Sequence, residues 1–485
     1  MTAVDDFDRT SPWESVRAVV AGFGVSGFAA ADNLTHLGAR VTALDESSSG
    51  KEEKAELLEV LGATVRLGEG ATATLPDEVD VVVTSPGWRP DSALLAQARA
   101  RGIPVWGEVE LAWRLRDPAH PVPWLAVTGT NGKTTTVQML DSILRAAGLR
   151  SVPVGNVGLP IVEAVMDPTP YDVLAVELSS FQLHYTSSMS AQAAAVLNVA
   201  EDHLDWYPSM AEYAADKGRI YEQVQRACIY NVADPATEAL VREADVVDGA
   251  RAVGFTLGMP SVGMLGVVED ILVDRAFIEE RQSSAAELCT ISDLATDAPH
   301  FVANALAAAA LARAHGVSQQ AVRDGLRAFR PDGHRIAVVG ERDGVRWVDD
   351  SKATNPHAAL ASLQAYDSVV WVAGGLAKGA RFDDLVETVR DRLRAAVLIG
   401  RDAHVVAEAL ARHAPDVRVI TLGSPETGVT DGEDDPMTWV VATAAELAQP
   451  GDTVLLAPGC ASMDMFANYA ARGDAFAAAV RARIG

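Results

Sequence analysis

Along this chain, short apolar runs alternate with stretches in which apolar residues recur at helical spacing. Ala18-Val19-Val20-Ala21, residues 41–44 and residues 79–83 have strand length, and residues 26–37 and 51–62 carry the helical pattern. Strands that are apolar without alternation are covered on both faces, and the helices between them return the chain, so the pattern predicts a parallel sheet. A second series starts at Trp124, with strands over 173–176 and 193–198 and helices over 133–147 and 209–225. Residues 228–299 are less regular and partly β, and helical patterns at 302–314 and 318–328 close this unit. A third series runs from Ile336 to the end, with strands near 345–349, 368–373, 395–399, 417–421 and 453–457.

Two proline-containing polar stretches interrupt the series. Arg116-Asp117-Pro118-Ala119-His120-Pro121 and Arg330-Pro331-Asp332-Gly333-His334-Arg335 read as linkers. The expectation is an α/β protein of three domains, 1–118, 119–330 and 331–485. Residues 423–436 are rich in Asp, Glu, Gly and Pro and read as a solvated, mobile loop without chemistry.

Composition narrows the function classes. Hydrophobic residues make up 49% of the 485, enough for real cores. The formal net charge of −26 argues against a nucleic-acid partner, which needs a basic footprint. No apolar run reaches the roughly 18–20 residues of a membrane span. Met1 to Pro12 is acidic and polar, unlike a signal peptide. The 3 cysteines, Cys228, Cys289 and Cys460, are scattered and point to a reducing cytoplasm. An acidic protein that binds an anionic nucleotide must meet it with local Lys, Arg, helix N-termini and metal.

One segment demands such a nucleotide. Thr128-Gly129-Thr130-Asn131-Gly132-Lys133-Thr134-Thr135 follows the apolar run Trp124-Leu125-Ala126-Val127 and opens a helix. Glycines let backbone N–H groups close on phosphate oxygens, the lysine adds a point charge, and the following hydroxyl reaches Mg²⁺. Val127 stands where the longer phosphate-loop pattern has its first glycine, so only Gly129-x-x-Gly132-Lys133-Thr134 remains. Glu177 ends another strand and begins Glu177-Leu178-Ser179-Ser180-Phe181-Gln182-Leu183, the place for a Mg²⁺ ligand or for an acid at a helix start. Asn198, Asp202, His203 and Asp205 follow the next strand, and Ser209 to Glu212 is a capping box for a helix that carries Lys217.

A second glycine turn stands near the start. Gly22-Phe23-Gly24-Val25-Ser26-Gly27 follows a strand, opens a helix and is trailed by Asp45. It satisfies the dinucleotide fingerprint, and physically implies a diphosphate at a helix N-terminus, from NAD, FAD or a UDP-sugar. In the third series, Asp349-Asp350-Ser351-Lys352-Ala353-Thr354-Asn355-Pro356, Gly374 to Gly379 and Ala457 to Asp464 each follow a strand and form the ligand-binding edge of a parallel sheet. A helix cap at Thr354 or Asn355 with Pro356 behind it accounts for part of the first loop.

Taken together these segments resemble the Mur ligases, the ATP-dependent amide ligases of bacterial cell-wall precursor synthesis. The resemblance spans Gly22 to Arg472 and rests on residues 128–134, 177–183, Asn198, Asp202, His203, Asp205, Lys217 and 304–308. Asp350-Ser351-Lys352-Ala353-Thr354-Asn355 resembles the branch that adds D-glutamate to UDP-N-acetylmuramoyl-L-alanine. A histidine at Asn131 would suggest L-alanine addition, and the chain lacks the Asp-Asn-Pro-Arg signature of diaminopimelate addition.

The resemblance implies a Rossmann-like N-terminal domain, a central P-loop-type ATPase domain with a parallel sheet, and a Rossmann-like C-terminal domain. It implies that Gly129, Thr130, Asn131, Gly132, Lys133, Thr134 and Thr135 hold ATP, with Asn304 at adenine, Asp350 at ribose and Arg335 near the γ-phosphate. Two Mg²⁺ ions would be held by Thr134, Glu177, His203 and Lys217, the last matching the family's carbamylated lysine. Gly22, Gly24, Val25, Ser26, Gly27, Asp45, Ser85, Gly87 and Asn156 would border the UDP-sugar, with Ser179 and Gln182 also on the substrate. Lys352, Thr354, Lys378, Ser462, Met463 and Tyr469 would serve D-glutamate. Phe301 stands where some members carry an asparagine beside the adenine, which suggests apolar stacking there. A cytoplasmic monomer is implied, with domain closure about residues 330–335.

Three rivals remain at this level. An NAD-dependent oxidoreductase rests on Gly22 to Gly27 and leaves the ATP loop and Glu177 unexplained. A nucleotide-gated binding protein predicts ATP binding but no phosphate release that depends on both substrates. A ligase for another amino acid, or a folylpolyglutamate-type enzyme, stays within the family.

Overall fold

The apolar runs become the strands of three sheets. A computed structural model describes residues 4–204, 206–331, 333–423 and 436–485. Asp205, Asp332 and the interior of the acidic segment 423–436 lie outside the described residues.

The first sheet contains β1 (Arg17–Ala21), β2 (Arg40–Asp45), β3 (Thr64–Leu67), β4 (Val81–Thr84) and β5 (Val105–Gly107), in the order β3-β2-β1-β4-β5. All its pairings are parallel. Strand order reverses beside β1, so the Gly22 turn lies at the switch point where such sheets bind ligands. The second contains β6 (Trp124–Thr128), β7 (Ser151–Gly155), β8 (Val173–Glu177), β9 (Ala193–Val196), β10 (Ala227–Asn231), β11 (Arg251–Phe255), β12 (Met264–Val268), β13 (Ile271–Asp274) and β14 (Ala286–Thr290). Its order is β14-β13-β12-β11-β10-β9-β6-β8-β7, so β6 lies between β8 and β9. Only the pairings of β13 with β12 and with β14 are antiparallel. The third contains β15 (Ala337–Arg342), β16 (Val345–Asp349), β17 (Val369–Gly374), β18 (Leu393–Ile399), β19 (Arg418–Thr421) and β20 (Thr453–Leu456), in the order β15-β16-β20-β17-β18-β19. There only β15 is antiparallel. The expected α/β class with parallel-rich sheets is the observed one.

Several elements depart from the hydrophobic pattern. The helix expected over 209–225 is Met210–Gly218, followed by a short 3-10 turn, Arg219–Tyr221. The turn drives Tyr221 inward, where its hydroxyl donates to Ile229 O (2.6 Å) and accepts from Val196 N (3.2 Å). Strand β7 escapes the hydrophobic pattern because it contains Pro153; at the sheet edge its missing N–H costs no ladder bond. Strand β3 is short and half exposed, with two polar residues in four, so it gave no apolar run.

The chain divides into two compact units. One holds residues up to Val199, with Ala211–Asp297 and Phe301–Phe329; the other holds Ala200–Met210, Ala298–His300 and Arg330–Gly485. The first two sheets thus share one unit, and the helix Glu108–Arg114 explains how. Two buried carboxylates project from its start. Glu108 Oε1 accepts from Val162 N (2.7 Å). Glu110 accepts from Ser187 N (2.7 Å), Ser188 N (3.0 Å) and Ser188 Oγ (2.6 Å), and pairs with Arg114 (2.8 Å). Tyr185 closes the seam: its carbonyl accepts from Gly107 N (3.0 Å) and its hydroxyl donates to Trp88 O (2.8 Å).

Glu108 carries a testable pH dependence. Burial pushes its carboxyl up to about 7, against the opposing pull of the Val162 and Ile161 N–H groups. The folded chain therefore holds a proton there that the unfolded chain releases. That stability, on the order of 3 kcal/mol, is present at low pH and is lost as pH rises towards 7. Urea titrations should show wild type losing stability between pH 5 and pH 8 relative to Glu108→Gln. Parallel pH profiles for the two proteins would contradict the assignment.

Candidate active site

The phosphate loop is held in shape before any ligand contact. Gly132 has φ +84° and opens the helix Lys133–Ala146, a conformation that strains any residue with a side chain. Thr128 Oγ1 donates to Leu178 O (2.7 Å), tying the loop to the segment after β8. Asn198 clasps the loop from the other side. Its carbonyl accepts from Thr130 N (3.0 Å), and its carboxamide both accepts from Asn131 N (2.8 Å) and donates to Asn131 O (3.1 Å). A Cβ on Gly132 would lie 2.5 Å from Asn304 Oδ1, so the helix carrying Asn304 packs directly on the loop. Phe301, one turn earlier, is buried with its ring centroid 6.1 Å from that of Phe329.

Two lysines meet on this loop. Lys133 Nζ donates to Gly129 O (2.9 Å) and Thr130 O (2.8 Å). Lys217 Nζ donates to the same Gly129 carbonyl (2.9 Å), and Lys217 is only 1% exposed. The ring of Tyr213 lies 4.4 Å from the Lys217 ammonium, and its hydroxyl is 3.1 Å from Thr130 Oγ1. A helix lysine normally points to solvent; this one is built into the loop's support.

Glu177 is 1% exposed at the end of β8. Its Oε1 accepts from Asn156 Nδ2 (2.8 Å), while its Oε2 is buried without a hydrogen-bond partner. An unmatched buried carboxylate oxygen is costly, and a cation is the natural group to satisfy it. Thr134 is buried on the loop side. Among the described residues no group of three or more His, Cys, Asp and Glu side chains is assembled as a metal cluster. A divalent ion at Glu177 would therefore complete its shell with other oxygens, which is the habit of Mg²⁺ with nucleotide phosphates. Ser179 and Gln182 form a reciprocal cap on the helix Ser180–His184, so both are committed first to local structure.

The first glycine turn is equally tight. A Cβ on Gly27 would fall 1.9 Å from Gly22 O, and one on Gly22 would lie 2.6 Å from Ser85 Oγ. Asp45 accepts from Phe23 N (2.6 Å) and Ser47 N (2.9 Å) and pairs with Lys51 (2.7 Å). Burial raises its carboxyl, but Lys51 and the two N–H donors prevail and hold it below its ordinary value. Asp45 thus shapes the turn. Gly24, Val25 and Gly87 are exposed, and Ser26 is half-buried.

In the second unit, the loops after β16, β17 and β20 follow three adjacent strands. Arg335 stands between His334 (φ +66°) and Ile336 (φ +45°), two left-handed residues, one of them β-branched. His334 Nδ1 lies 2.6 Å from Asp349 Oδ2, anchoring this linker. Asp350 is buried; desolvation pushes its carboxyl up to about 6, against the pull of Ser362 and Arg335. Burial, then the charges of Arg335 and His357, hold His300 down to about 4. Lys352 Nζ donates to Tyr469 OH (2.9 Å). Asn355 caps the helix Pro356–Leu363, and its Nδ2 donates to Asp202 Oδ2 (3.1 Å). His203, at φ +57°, donates its backbone N–H to Asp202 Oδ1 (2.9 Å). Ser462 is buried, Thr354 half-buried, Lys378 exposed and Met463 65% exposed.

The structure therefore brings Gly129 to Thr135, Glu177, Asn156, Lys217 and Asn304 together in the first unit, and Asp350, Arg335, Lys352 and Tyr469 in the second. It adds residues that the motifs did not single out for such roles: Tyr213 under Lys217, the carboxamide of Asn198, and Arg472 behind the loops of the second unit. Asn198 is at a strand end, which was a usable signal; nothing local marks Tyr213.

Comparison with known proteins gives three consecutive family matches. The Mur ligase MurD-like N-terminal domain matches residues 16–107, the Mur ligase middle domain 127–312, and the Mur ligase glutamate ligase domain 334–460. The chain is similar to the UDP-N-acetylmuramoylalanine--D-glutamate ligase of Streptomyces avermitilis, at 61% identity over 97% of this chain and 98% of that one. It is 60% identical to the protein of that name from Streptomyces coelicolor, over 97% and 99% of the two chains. Among solved structures, a UDP-N-acetylmuramate-alanine ligase from Thermotoga maritima aligns with a TM-score of 0.54 and 17% identity, covering 96% of this chain and 99% of that one. A UDP-N-acetylmuramoylalanyl-D-glutamyl-2,6-diaminopimelate--D-alanyl-D-alanyl ligase from Acinetobacter baumannii aligns with a TM-score of 0.57 and 16% identity, covering 96% and 93%. At such identities these two show a shared fold.

Proposed function

The chain belongs to the Mur ligase family, and from that premise we propose that it joins D-glutamate to UDP-N-acetylmuramoyl-L-alanine at the expense of ATP, in peptidoglycan precursor synthesis. The relatives named for that reaction cover nearly the whole chain. Two observations on one phosphate loop carry the reading: the buried Lys217 on Gly129 O, and, on the strand paired with the one that feeds the loop, a Glu177 whose Oε2 has no hydrogen-bond partner. A dehydrogenase has no use for that arrangement; an ATP-dependent ligase does.

A carboxylate and an amine do not condense in water without activation. The γ-phosphoryl group passes to the L-alanyl carboxylate, giving an acyl phosphate and ADP. The D-glutamate amine attacks the carbonyl carbon, a tetrahedral intermediate forms, the amine loses a proton, and phosphate leaves. Lys133, on the loop of Gly129 to Thr135, would neutralise phosphate charge, as would Arg335. Thr134 and Glu177 would hold one Mg²⁺, and His203 with a carbamylated Lys217 would hold the other; bound Mg²⁺ would supply charge neutralisation for phosphoryl transfer. Asn304 meets adenine, Phe301 gives it an apolar neighbour, and Asp350 holds the ribose.

The turn Gly22, Gly24, Val25, Ser26, Gly27, shaped by Asp45 and backed by Ser85 and Gly87, takes the UDP-sugar diphosphate. Asn156 would border the UDP-sugar, and Ser179 and Gln182 would also contact the substrate. Lys352, Thr354, Lys378, Ser462, Met463 and Tyr469 form the amino-acid pocket. Domains at 1–118, 119–330 and 331–485 follow, with closure about 330–335. No helix among the described residues is long and apolar enough to cross a membrane, and we assign the enzyme to the cytoplasm as a monomer.

The test is isotopic. With ¹⁸O in both oxygens of the L-alanyl carboxylate, the released phosphate should carry one ¹⁸O per turnover when D-glutamate is added. Unlabelled phosphate with amide product formed would reject the acyl-phosphate route, and absence of amide product would reject the ligase.

A further inference from the structure

We propose that Arg472 is a positioning residue for the amino-acid site: it fastens the three loops of the second unit into one pocket floor. The inference rests on the proposed function for the identity of the ligand, and on geometry for the fastening itself.

Arg472 lies in the first turn of the helix Tyr469–Ile484 and is 1% exposed. Its Nε donates to Ser351 Oγ (2.9 Å) and its Nη2 to Ser351 O (2.9 Å), in the loop after β16. Its Nη1 donates to Cys460 O (3.1 Å), after β20, and reaches Gly374 O (3.5 Å), at the end of β17. One planar fork therefore spans the ends of three neighbouring strands. Every acceptor is a neutral oxygen, so this is not an ion pair. Burial lowers the guanidinium to about 10, which leaves it charged at neutral pH.

Each loop held in this way carries residues of the proposed glutamate pocket. Lys352 and Thr354 follow Ser351, Lys378 follows Gly374, and Ser462 and Met463 follow Cys460. The same helix turn adds two more ties. Ser351 Oγ donates to Tyr469 O (2.7 Å), and Gly473 packs so closely that a Cβ would lie 2.1 Å from His334 Nδ1. The glycines at the loop starts leave no slack: a Cβ on Gly375 would meet Ala461 O at 2.2 Å. A site built from three loops needs a common support to hold its polar groups to within an ångström, because misplacement on that scale costs about a hundredfold.

The experiment compares wild type with Arg472→Met, which keeps the apolar stem and removes the fork, and with Arg472→Lys, which keeps the charge. Hydrogen exchange on the full chain should rise in residues 351–355, 374–379 and 460–464 together in Arg472→Met, with the phosphate loop unchanged. The KM for D-glutamate should rise about a hundredfold, the KM for ATP far less, through Asp350 beside Ser351 alone, and the KM for the nucleotide substrate should stay nearly constant; Arg472→Lys should restore only part. If Arg472→Met does not fold, Ser351→Ala, which deletes one acceptor of the fork, should raise the glutamate KM about tenfold. Faster exchange confined to one loop, an unchanged glutamate KM, or an equal rise in all three KM values would overturn the proposal. Wild type without D-glutamate-dependent turnover would reject the proposed function instead, and the exchange pattern would still decide the fastening.

Discussion

Lys217→Ala should abolish turnover, with a fall in kcat on the order of a thousandfold or more, while the fold persists. The fold should survive because the Gly129 carbonyl keeps the Lys133 ammonium as a donor when Lys217 is removed. The loop also keeps the Asn198 clasp on Thr130 and Asn131. Function should not survive, because the proposal makes this amine the precursor of an anionic ligand. The amine must first lose a proton and then add CO₂, and the product can no longer donate to Gly129 as the ammonium does. The Tyr213 ring face also favours a cation at this position, so modification exchanges one favourable contact for metal binding. Added short carboxylates should restore part of the activity by standing in for the carbamate. Near-normal activity of the unrescued variant would remove the carbamate from the account.

Glu177→Gln should be nearly as damaging, with loss of activity of about a hundredfold to a thousandfold. The substitution is informative because it is nearly isosteric. A glutamine Oε1 can still accept from Asn156 Nδ2, where the wild-type distance is 2.8 Å. The wild-type Oε2 has no hydrogen-bond partner to lose. Thermal stability should therefore change little, or rise, since a buried unmatched charge disappears. What is lost is the anionic oxygen available to a cation. Isothermal titration of Mg²⁺ with a non-hydrolysable ATP analogue should show weaker metal-dependent nucleotide binding. Unchanged turnover in Glu177→Gln would show that this carboxylate does not hold the metal.

The sequence carried the architecture well and the tertiary assignments less well. Strand–helix alternation is a local signal, and β1, β6, β8, β17 and β20 are all near-continuous apolar runs. Gly132, Lys133 and Glu177 were legible because strand ends of parallel sheets carry chemistry. Lys217 was legible only through resemblance, since its burial depends on Gly129, 88 positions away. The merging of the first two sheets into one unit was not legible at all. It depends on Glu108 and Glu110 reaching Val162, Ser187 and Ser188, and two glutamates at a helix start read as ordinary surface acids. The end of the helix at Gly218 was missed because the burial of Tyr221, a long-range event, overrides local helical spacing.

The most direct test measures phosphate release with ATP, Mg²⁺ and UDP-N-acetylmuramoyl-L-alanine, comparing D-glutamate, L-glutamate and no amino acid. Release is expected with D-glutamate alone. Release with a different amino acid would keep the ligase and move its specificity. No release under any combination, with ATP still bound, would contradict amide ligation and leave a nucleotide-binding protein without ligase activity.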